Sequence, residues 1–443
     1  MNVEERDYWR RGWNSTREAN RRAFIREVMT VFSGSWKGML ERKIRSLFQP
    51  ENADKITMRT DTSLNLLSWV SNELGAIYSE APDRTLNGYP LEESFPELHA
   101  GGKFDLALDR AARICIAARE VLIRPLYSET TGRFFLDLVT PDRVCAGHDP
   151  NAVGGLAWLL VETDPTAVSG DREKFVLWTP EEFVRLNAYG KKIEQPQPNP
   201  YGLIPYVLCH AAFPYAGAFH DSEARGIFDA AITAAIAKTE FNHLRHIQSY
   251  KQTYISAGGG SEKKARIVSD PSVVLWLEGG ATAGVLDLQA DLKSHLEAIL
   301  ADVAATLAFH GFRPEQIKGE LDASSGYALT IKLLGMERIW KAQRTLWGGY
   351  EKDIVTVASR VAEIDEGRIV PDGATLETHY KPLTPPPSES ERYDLISKRL
   401  QDRTLSREEA IRRMEGDERA EEILAQIAAE DATEARNLGG ALL

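Results

Sequence analysis

Residues 324–354 read SSGYALTIKLLGMERIWKAQRTLWGGYEKDI. The pattern opens a long helix that runs from about Gly326 to Ala362. Its three glycines, Gly335, Gly348 and Gly349, invite a kink, because glycine weakens a helix interior by roughly 1 kcal/mol. A linker, Gly311–Ser325, precedes it. Upstream of the linker, residues 288–310 carry Leu288, Leu292, Leu296, Ile299, Val303 and Leu307 along one helical face. A further helix is expected over 226–252, rich in alanine early and carrying Phe241, Leu244 and Ile247 later. The intervening residues contain three glycines (258–260) and a strand-like run, Ser272–Leu277. A helical hairpin would project this insert of about 35 residues as a protruding tip.

Both helices of that pair are rich in small residues: Ala230, Ala231, Ala234, Ala235 and Ala237 in the first, and Ala298, Ala301, Ala304, Ala305 and Ala308 in the second. Such surfaces pack closely on more than one side, as subunits of a closed ring require. An ordinary helical core explains the same composition.

The N-terminal half mixes elements. Residues 4–48 read as helical, with Phe24, Ile25, Val28, Val31 and Phe32 among many arginines. Residues 63–80 form an amphipathic segment through Leu64, Leu67, Val70, Leu74 and Ile77, ended by Ala81-Pro82-Asp83. Residues 104–120 repeat the helical period. Strands then follow: 120–127 and 133–139 form a hairpin about a Thr131-Gly132 turn, and 155–162 and 174–178 continue the β-rich stretch. Thr179-Pro180-Glu181-Glu182 looks like a turn or a short helix start. The run QPQPNPYGLIP (195–205) carries four prolines and cannot sit inside a sheet. At the other end, Pro385-Pro386-Pro387 sets off an acidic helical segment, roughly 388–434. Ser388 with Glu391, and Ser406 with Glu409, have capping-box spacing.

The 443-residue chain is 43% hydrophobic and 27% charged, with a formal net charge of −12. That is an ordinary globular composition, and an evenly spread charge of this sign would repel DNA. The charge is uneven. Residues 1–50 carry eleven Lys/Arg against six Asp/Glu, and residues 388–443 carry nine against fourteen. Cys115, Cys145 and Cys209 are far apart, which argues for a reducing compartment and against a disulfide scaffold or zinc site. The N-terminus lacks the apolar stretch of a secretory signal, and no apolar run reaches about 18 residues, so the chain is expected in the cytoplasm when made, with no membrane span.

Chemistry-bearing motifs are missing. There is no GxxxxGK[ST] phosphate loop, GxGxxG fingerprint, GxSxG elbow or HExxH helix. Gly258–Lys264 has the wrong spacing for a phosphate loop and reads better as a flexible turn. His243 and His246, three apart on a helix, have a metal-compatible spacing without a completing carboxylate or cysteine, so an interfacial or partly buried pair is the better reading. Glu181-Glu182 and Glu421-Glu422 read as solvated charge. Arg10-Arg11 and Arg21-Arg22, interleaved with Trp9, Trp13 and Phe24, suit either nucleic acid or the surface of a neighbouring subunit. No cofactor is expected.

The order of these parts resembles the portal proteins of tailed double-stranded DNA bacteriophages, over about residues 60–430. NLLSWVSNELGAIYSEAPDR resembles the early family helix and its proline stop. EVLIRPLYSETTGRFFLDLVTPDRV resembles the hairpin that ends in a Pro-x-x-Val segment, here Pro141 and Val144. NPYGLIPYVLCHAAF resembles the strand before the stem, with Asn199, Gly202, Ile204 and Pro205 in place. The opening stretch resembles the family's S-G-x-A-L helix start through Ser325, Gly326, Ala328 and Leu329. KPLTPPPSESERYDLISKRLQDRTLSREEAIRRM resembles the strand, proline break and L-S-x-E-x-A helix start of the crown. The insert between the two stem-like helices is shorter than the family pattern.

The resemblance implies an α+β, mostly helical subunit with a wing over 1–225 that regains part of 326–387. It implies stem helices at 226–252 and 288–310, a clip at 253–287, a tunnel-loop region at 311–325 before the long kinked helix, and a helical crown at 388–443. It further implies a ring of about twelve copies at one capsid vertex, non-catalytic, that conducts DNA during packaging and ejection. Expected partners are the large terminase, which would hold the ATPase, a head-completion or adaptor protein, and the major capsid and scaffolding proteins. The setting would be the virion, with assembly in the host cytoplasm. Arg313, Lys318 and Lys332 are candidates for weak, sequence-independent DNA contact in an otherwise repelling channel. Lys263, Lys264, Arg266 and Trp276 are candidates for partner docking at the clip. The competing readings are a large intracellular enzyme with an unrecognised site, and another phage head-assembly protein.

Overall fold

Alternation of apolar and polar residues builds the first recognisable layer. The computed structural model describes residues 12–149, 155–166, 172–212, 217–219, 226–249, 252–256, 282–286, 291–312, 326–366, 375–381, 389–402, 406–415, 419–420 and 423–427. The fold is α+β and mostly helical. It divides into two units, Met1–Ile317 with Met336–Lys381, and Lys318–Gly335 with Pro382–Leu443.

In the first unit, α1 (Thr16–Phe32) starts at Ser15, whose hydroxyl accepts the Glu18 N–H, as N-caps do. The stretch expected to be helical over 4–48 is helical in its described part, as two helices. Gly34, at φ +80°, turns the chain between α1 and α2 (Lys37–Leu47), a backbone region that favours glycine. Then come α3 (Pro50–Thr57) and α4 (Leu66–Leu74), the latter capped by Asn65. A single 3-10 turn, Ala76–Tyr78, follows. At Gly75 the chain passes so close to α5 (Lys103–Ala118) that an added Cβ would lie 2.7 Å from Arg113 Cα. Between them, β1 (Asp83–Leu86) and β2 (Tyr89–Pro90) form a tight hairpin.

The expected hairpin is present as β3 (Glu120–Ser128) and β4 (Arg133–Val139). Its turn closes with the Gly132 N–H donating to Ser128 O at 2.8 Å. Next, β5 (Val144–His148), β6 (Leu156–Glu162), β7 (Phe175–Trp178), β8 (Glu182–Leu186) and β9 (Gln197–Pro198) form a five-stranded antiparallel meander. Thr179–Glu182 is the turn between β7 and β8, with the Glu182 N–H donating to Thr179 Oγ1 at 3.0 Å. Pro198 sits on the two-residue edge strand β9, where a missing N–H is tolerated.

Both faces of this meander are buried. Val144, Leu159, Val161, Val176 and Trp178 join one apolar cluster with Leu122, Val139, Ile204 and Leu208. Their neighbours in sequence, Cys145, Leu160, Phe175 and Leu177, join a second with Trp13, Val184 and Leu186. The period of two in the strands produces this split. β10 (Val207–His210) adds to the free edge of β3.

The remaining elements of this unit are α6 (Gly226–Ser249), β11 (Gln252–Ser256), β12 (Thr282–Leu286), α7 (Leu292–Phe309), the 336–361 part of α8 (Gly326–Val361), and β13 (Leu376–His379). α8 is one 36-residue helix through all three glycines. Its departure from α geometry falls later, in a π-helical turn at Ala362–Glu366. β13 pairs antiparallel with β1, Asp83 opposite His379. In the second unit, α9 (Glu389–Gln401) and α10 (Arg407–Glu415) are described, and Ser406 Oγ accepts the Glu409 N–H at 3.1 Å. That is one half of the expected cap. Ser388 lies outside the described residues.

Candidate functional site

Helices α6 and α7 pack together and lead into a small β-hairpin, β11 with β12, in which Gln252 pairs with Leu286 and Ser256 with Thr282. The first half of α6 is rooted in the body. Phe228, Ala231, Ile232, Ala234 and Ala235 are buried, and Phe228 meets Phe24 of α1 edge-on at 5.2 Å. Thr239 is the last buried residue of α6; every described position beyond it is half-buried or exposed. The pair therefore emerges from the body as a stalk. Phe241 and His295 stack across it at 6.3 Å.

On α7 only Ile299, Val303 and Leu307 are buried. Leu300 and Phe309 are 55% and 88% exposed. From Ala298 to Phe309 the exposed positions are Ala298, Leu300, Ala301, Asp302, Ala305, Ala308 and Phe309, with a single charge. A helix apolar well beyond the stripe its own fold covers is suited to bury a second face.

The body end of the stalk is pinned by polar bonds. Asp61 N–H donates to Thr239 Oγ1 at 3.1 Å, Asn242 Nδ2 to Asp61 Oδ2 at 2.9 Å, and Lys238 Nζ to Ser63 Oγ at 2.7 Å. These contacts hold the 58–63 turn against α6 and form a cleft of about 660 Å³. Met58 to Ser63 and Asn242, Arg245 and His246 line it. His243 is beside it in charge: burial first, then Arg59, His246 and Lys55, hold its imidazole below the ordinary histidine value. No group of three His, Cys, Asp or Glu side chains suited to a metal ion occurs among the described residues, so the His243/His246 spacing has no completing ligand there.

The most strongly perturbed cluster lies on α8. Glu351 is fully buried. Its oxygens accept from Tyr78 OH at 2.6 Å, Tyr380 OH at 2.8 Å, Thr378 Oγ1 at 3.0 Å and Arg84 Nε at 2.6 Å. Arg84 also reaches Asp105 at 2.6 Å. Burial alone would lower the Arg84 guanidinium, but Glu351 and then Asp105 more than offset it and raise its pKa. Burial, and next the Glu351 charge, push the Tyr78 and Tyr380 phenols up. The carboxylate joins β1, β13, α5 and α8, and acts as a clamp.

Arg21 and Arg22 are buried, not exposed to a nucleic acid. Arg21 donates to Pro141 O at 3.2 Å, Val144 O at 2.8 Å and Glu18 at 2.9 Å. Arg22 donates to Trp13 O at 2.6 Å and lies 3.5 Å over the Trp13 ring. Arg21 thereby fastens α1 to the turn before β5, and Arg22 fastens it to Trp13. Trp9, Arg10 and Arg11 lie outside the described residues. So do Arg313, Lys318, Lys263, Lys264, Arg266 and Trp276. Lys332 falls within α8, with its side chain outside the described part. Residues 257–281, most of the expected clip, are likewise outside.

Motif residues quoted for the family resemblance gain physical roles. Asn199 Nδ2 donates to Thr179 O at 2.8 Å and Leu203 O at 2.7 Å, while its Oδ1 accepts the Tyr201 N–H at 3.1 Å. Gly202 is at φ +65°. Together they fold the proline-rich run back before Ile204 enters the core.

No protein-family model matches the sequence, and no curated protein matches it. Solved structures do. Over 80% of its length the chain is similar to 91% of a chain in the virion of a native gene transfer agent (GTA) particle, at 14% identity and TM-score 0.42. It is similar to a chain in the neck of an empty GTA particle computed with C6 symmetry (79% of this chain, 89% of that one, 13% identity, TM-score 0.45). A third match is the neck of a native GTA particle computed with C12 symmetry (80% and 90%, 15% identity, TM-score 0.42). Among the described residues no helix is long and apolar enough to cross a membrane.

Proposed function

We propose that this chain is the portal subunit of a tailed double-stranded DNA phage or phage-like particle. In this reading it closes into a ring of about twelve copies at one capsid vertex and performs no catalysis. The observation that carries the reading is the α6–α7 stalk, which ends in a β-hairpin and in which one nearly uncharged side of α7 is exposed among the described residues. A ring needs such a second face, because each subunit must be buried on two sides. The ordered sequence motifs support it independently.

The mechanism follows from charge. A formal net charge of −12 favours a channel wall that repels DNA and lets it slide. A few cations per subunit, with Arg313, Lys318 and Lys332 as candidates, would give weak phosphate contacts that do not stall movement. The hairpin region, with Lys263, Lys264, Arg266 and Trp276, would receive the terminase during packaging and a head-completion protein afterwards. The same channel would conduct DNA on ejection. Capsid and scaffolding proteins would meet the ring from the particle side.

Negative-stain electron microscopy with native mass measurement tests this. Rings with a central channel are expected from the purified chain. Leu300→Glu, which places a charge on the apolar side of α7, should give folded monomers with an unchanged circular dichroism spectrum. A compact dimer or tetramer without a channel would sink the proposal and reopen the enzyme reading. Rings that survive Leu300→Glu would move the subunit interface off α7.

A further inference from the structure

We propose that the cleft between α8 and β13 receives an extended, acidic segment of a partner protein, which adds to the free edge of β13 as a further strand. The cleft lies within the first unit and measures about 720 Å³. One wall is α8, through Lys341, Arg344, Gly348, Gly349 and Lys352, and the other is the run 377–380.

β13 is the outermost strand of its sheet, paired with β1 on one side and with no strand on the other among the described residues. The Asn87 N–H donates to Thr375 O at 3.1 Å, in step with the register that sets Thr85 opposite Glu377. Bonded positions alternate along an antiparallel pair. The backbone of 375, 377 and 379 therefore turns to β1, and that of Leu376, Thr378 and Tyr380 turns outward. Consecutive residues, 377 to 380, line the cleft, so it follows the edge of the strand rather than one face. Such an edge is a template for another strand.

The α8 wall has two features that its own fold does not use. Gly348 and Gly349 are adjacent inside a continuous helix, where each lowers stability relative to alanine. Yet a Cβ at Gly349 would meet nothing within 4 Å, and one at Gly348 only the Tyr380 ring edge at 4.0 Å. The packing of this chain requires neither glycine, and the pair leaves the helix backbone open to close approach. The second feature is charge. Lys341, Arg344 and Lys352 make no ion pair among the described residues. Both lysines are exposed. Arg344 Nε is buried without a hydrogen-bond partner there, and burial lowers this guanidinium's pKa despite the opposing influence of Tyr380, Glu337 and Glu80. The carboxylate that lines the cleft, Glu377, stands 3.9 Å from His379 Nε2.

Lys341 and Lys352 are about 16 Å apart along the helix axis, the span of about five extended residues. Every second side chain of an added strand faces α8, so acids at alternate positions meet the cations. A peptide backbone also matches both the N–H and the C=O groups of the edge, whereas phosphate oxygens only accept. That favours a peptide over nucleic acid.

The inference does not rest on the ring reading. The probe is a fluorescein-labelled peptide of about seven residues, alternating glutamate with threonine and long enough to cover the edge. Anisotropy follows its titration with the full-length chain. A second probe is the same peptide with its backbone nitrogens methylated, which keeps the charge and removes the N–H donors. The variants are Lys341→Gln/Lys352→Gln and Gly348→Ala/Gly349→Ala. Lys293→Gln, exposed on α7, is the control for charge removal.

The peptide should bind wild type and Lys293→Gln alike, and the methylated peptide should not bind. The lysine variant should weaken binding about tenfold, the combined weight of two exposed ion pairs. The glycine variant should unfold at a higher temperature than wild type and still bind the peptide more weakly, a split that a purely structural role does not produce. No binding to wild type, equal binding of the two peptides, or equal binding to wild type and both variants overturns the proposal. A mixed-sequence DNA duplex that displaces the peptide, with the same losses in both variants, would reassign the cleft to nucleic acid and overturn it too.

Discussion

Replacing Glu351 by glutamine changes one atom and should remove much of the stability of the first unit. Oε1 accepts from Tyr78 and Tyr380, and Oε2 accepts from Arg84 Nε and Thr378. A glutamine that keeps its carbonyl toward the tyrosines must turn an NH2 group toward the Arg84 guanidinium, donor against donor. Arg84, with 5% of its side chain exposed, then keeps only Asp105 as its counter-charge. Breaking a buried ion pair costs about 3–5 kcal/mol. The surviving Asp105 contact places this case near the lower end, about 3 kcal/mol. With a urea dependence near 3 kcal/mol per molar, the unfolding midpoint should fall by about 1 M. Circular dichroism in urea, with both chains carrying Leu300→Glu to hold them monomeric, measures it. The double variant Arg84→Met/Glu351→Leu should recover part of the loss, since an apolar pair of similar volume is often tolerated. A midpoint shift below about 0.3 M for Glu351→Gln would refute the clamp and assign these bonds to the surface balance of the strands instead.

Two further outcomes follow from local geometry. At Gly147 an added Cβ would land inside the Trp158 indole, at the register shift between Gly147 and His148. Gly147→Ala should therefore cost about 1–3 kcal/mol through overpacking, seen as a lowered unfolding midpoint, and Trp158→Ala in the same chain should relieve the clash at the expense of a cavity. Burial, with Glu18 next, pushes the Cys145 thiol up to about 12 from a model-compound value of 9.0. A group whose folded pKa is raised contributes stability below the unfolded value and loses it as pH rises through the folded one. Stability should thus decline from about pH 9 towards 12, and Cys145→Ala should flatten that slope in urea midpoints taken across the range.

What could be read from the linear chain was whatever depends on neighbours along it. The β-forming runs EVLIRPLY and RFFLDLV about the Thr131-Gly132 turn give the β3–β4 hairpin, and the period near four gives α5, α6 and α7, because that repeat places apolar groups on one side. Two of the missed elements pair across most of the chain. β1 and β13 are four residues each and pair across 290 to 296 positions of chain, Asp83 with His379; neither carries enough local pattern to announce itself. Within the helical stretch 4–48 the break was not legible from apolar pattern alone, since Gly34 at φ +80° ends α1 where that pattern runs on.

Charge was less legible still. Arg21 and Arg22 look in sequence like any basic surface pair, and only the carbonyls of Pro141 and Val144 and the Trp13 ring make them core residues. Glu351 reads as one more acid on a helix of lysines and arginines. Its burial depends on Tyr78, Arg84, Thr378 and Tyr380 arriving from three separate segments. Likewise the helical spacing of His243 and His246 was plain, whereas Arg59 and Lys55 beside them come from a different helix and turn. Periodicity is a property of the chain, so sequence determined the helices and the hairpin. The partner of a buried charge is a property of the packed fold, so only tertiary structure decided which charges are structural.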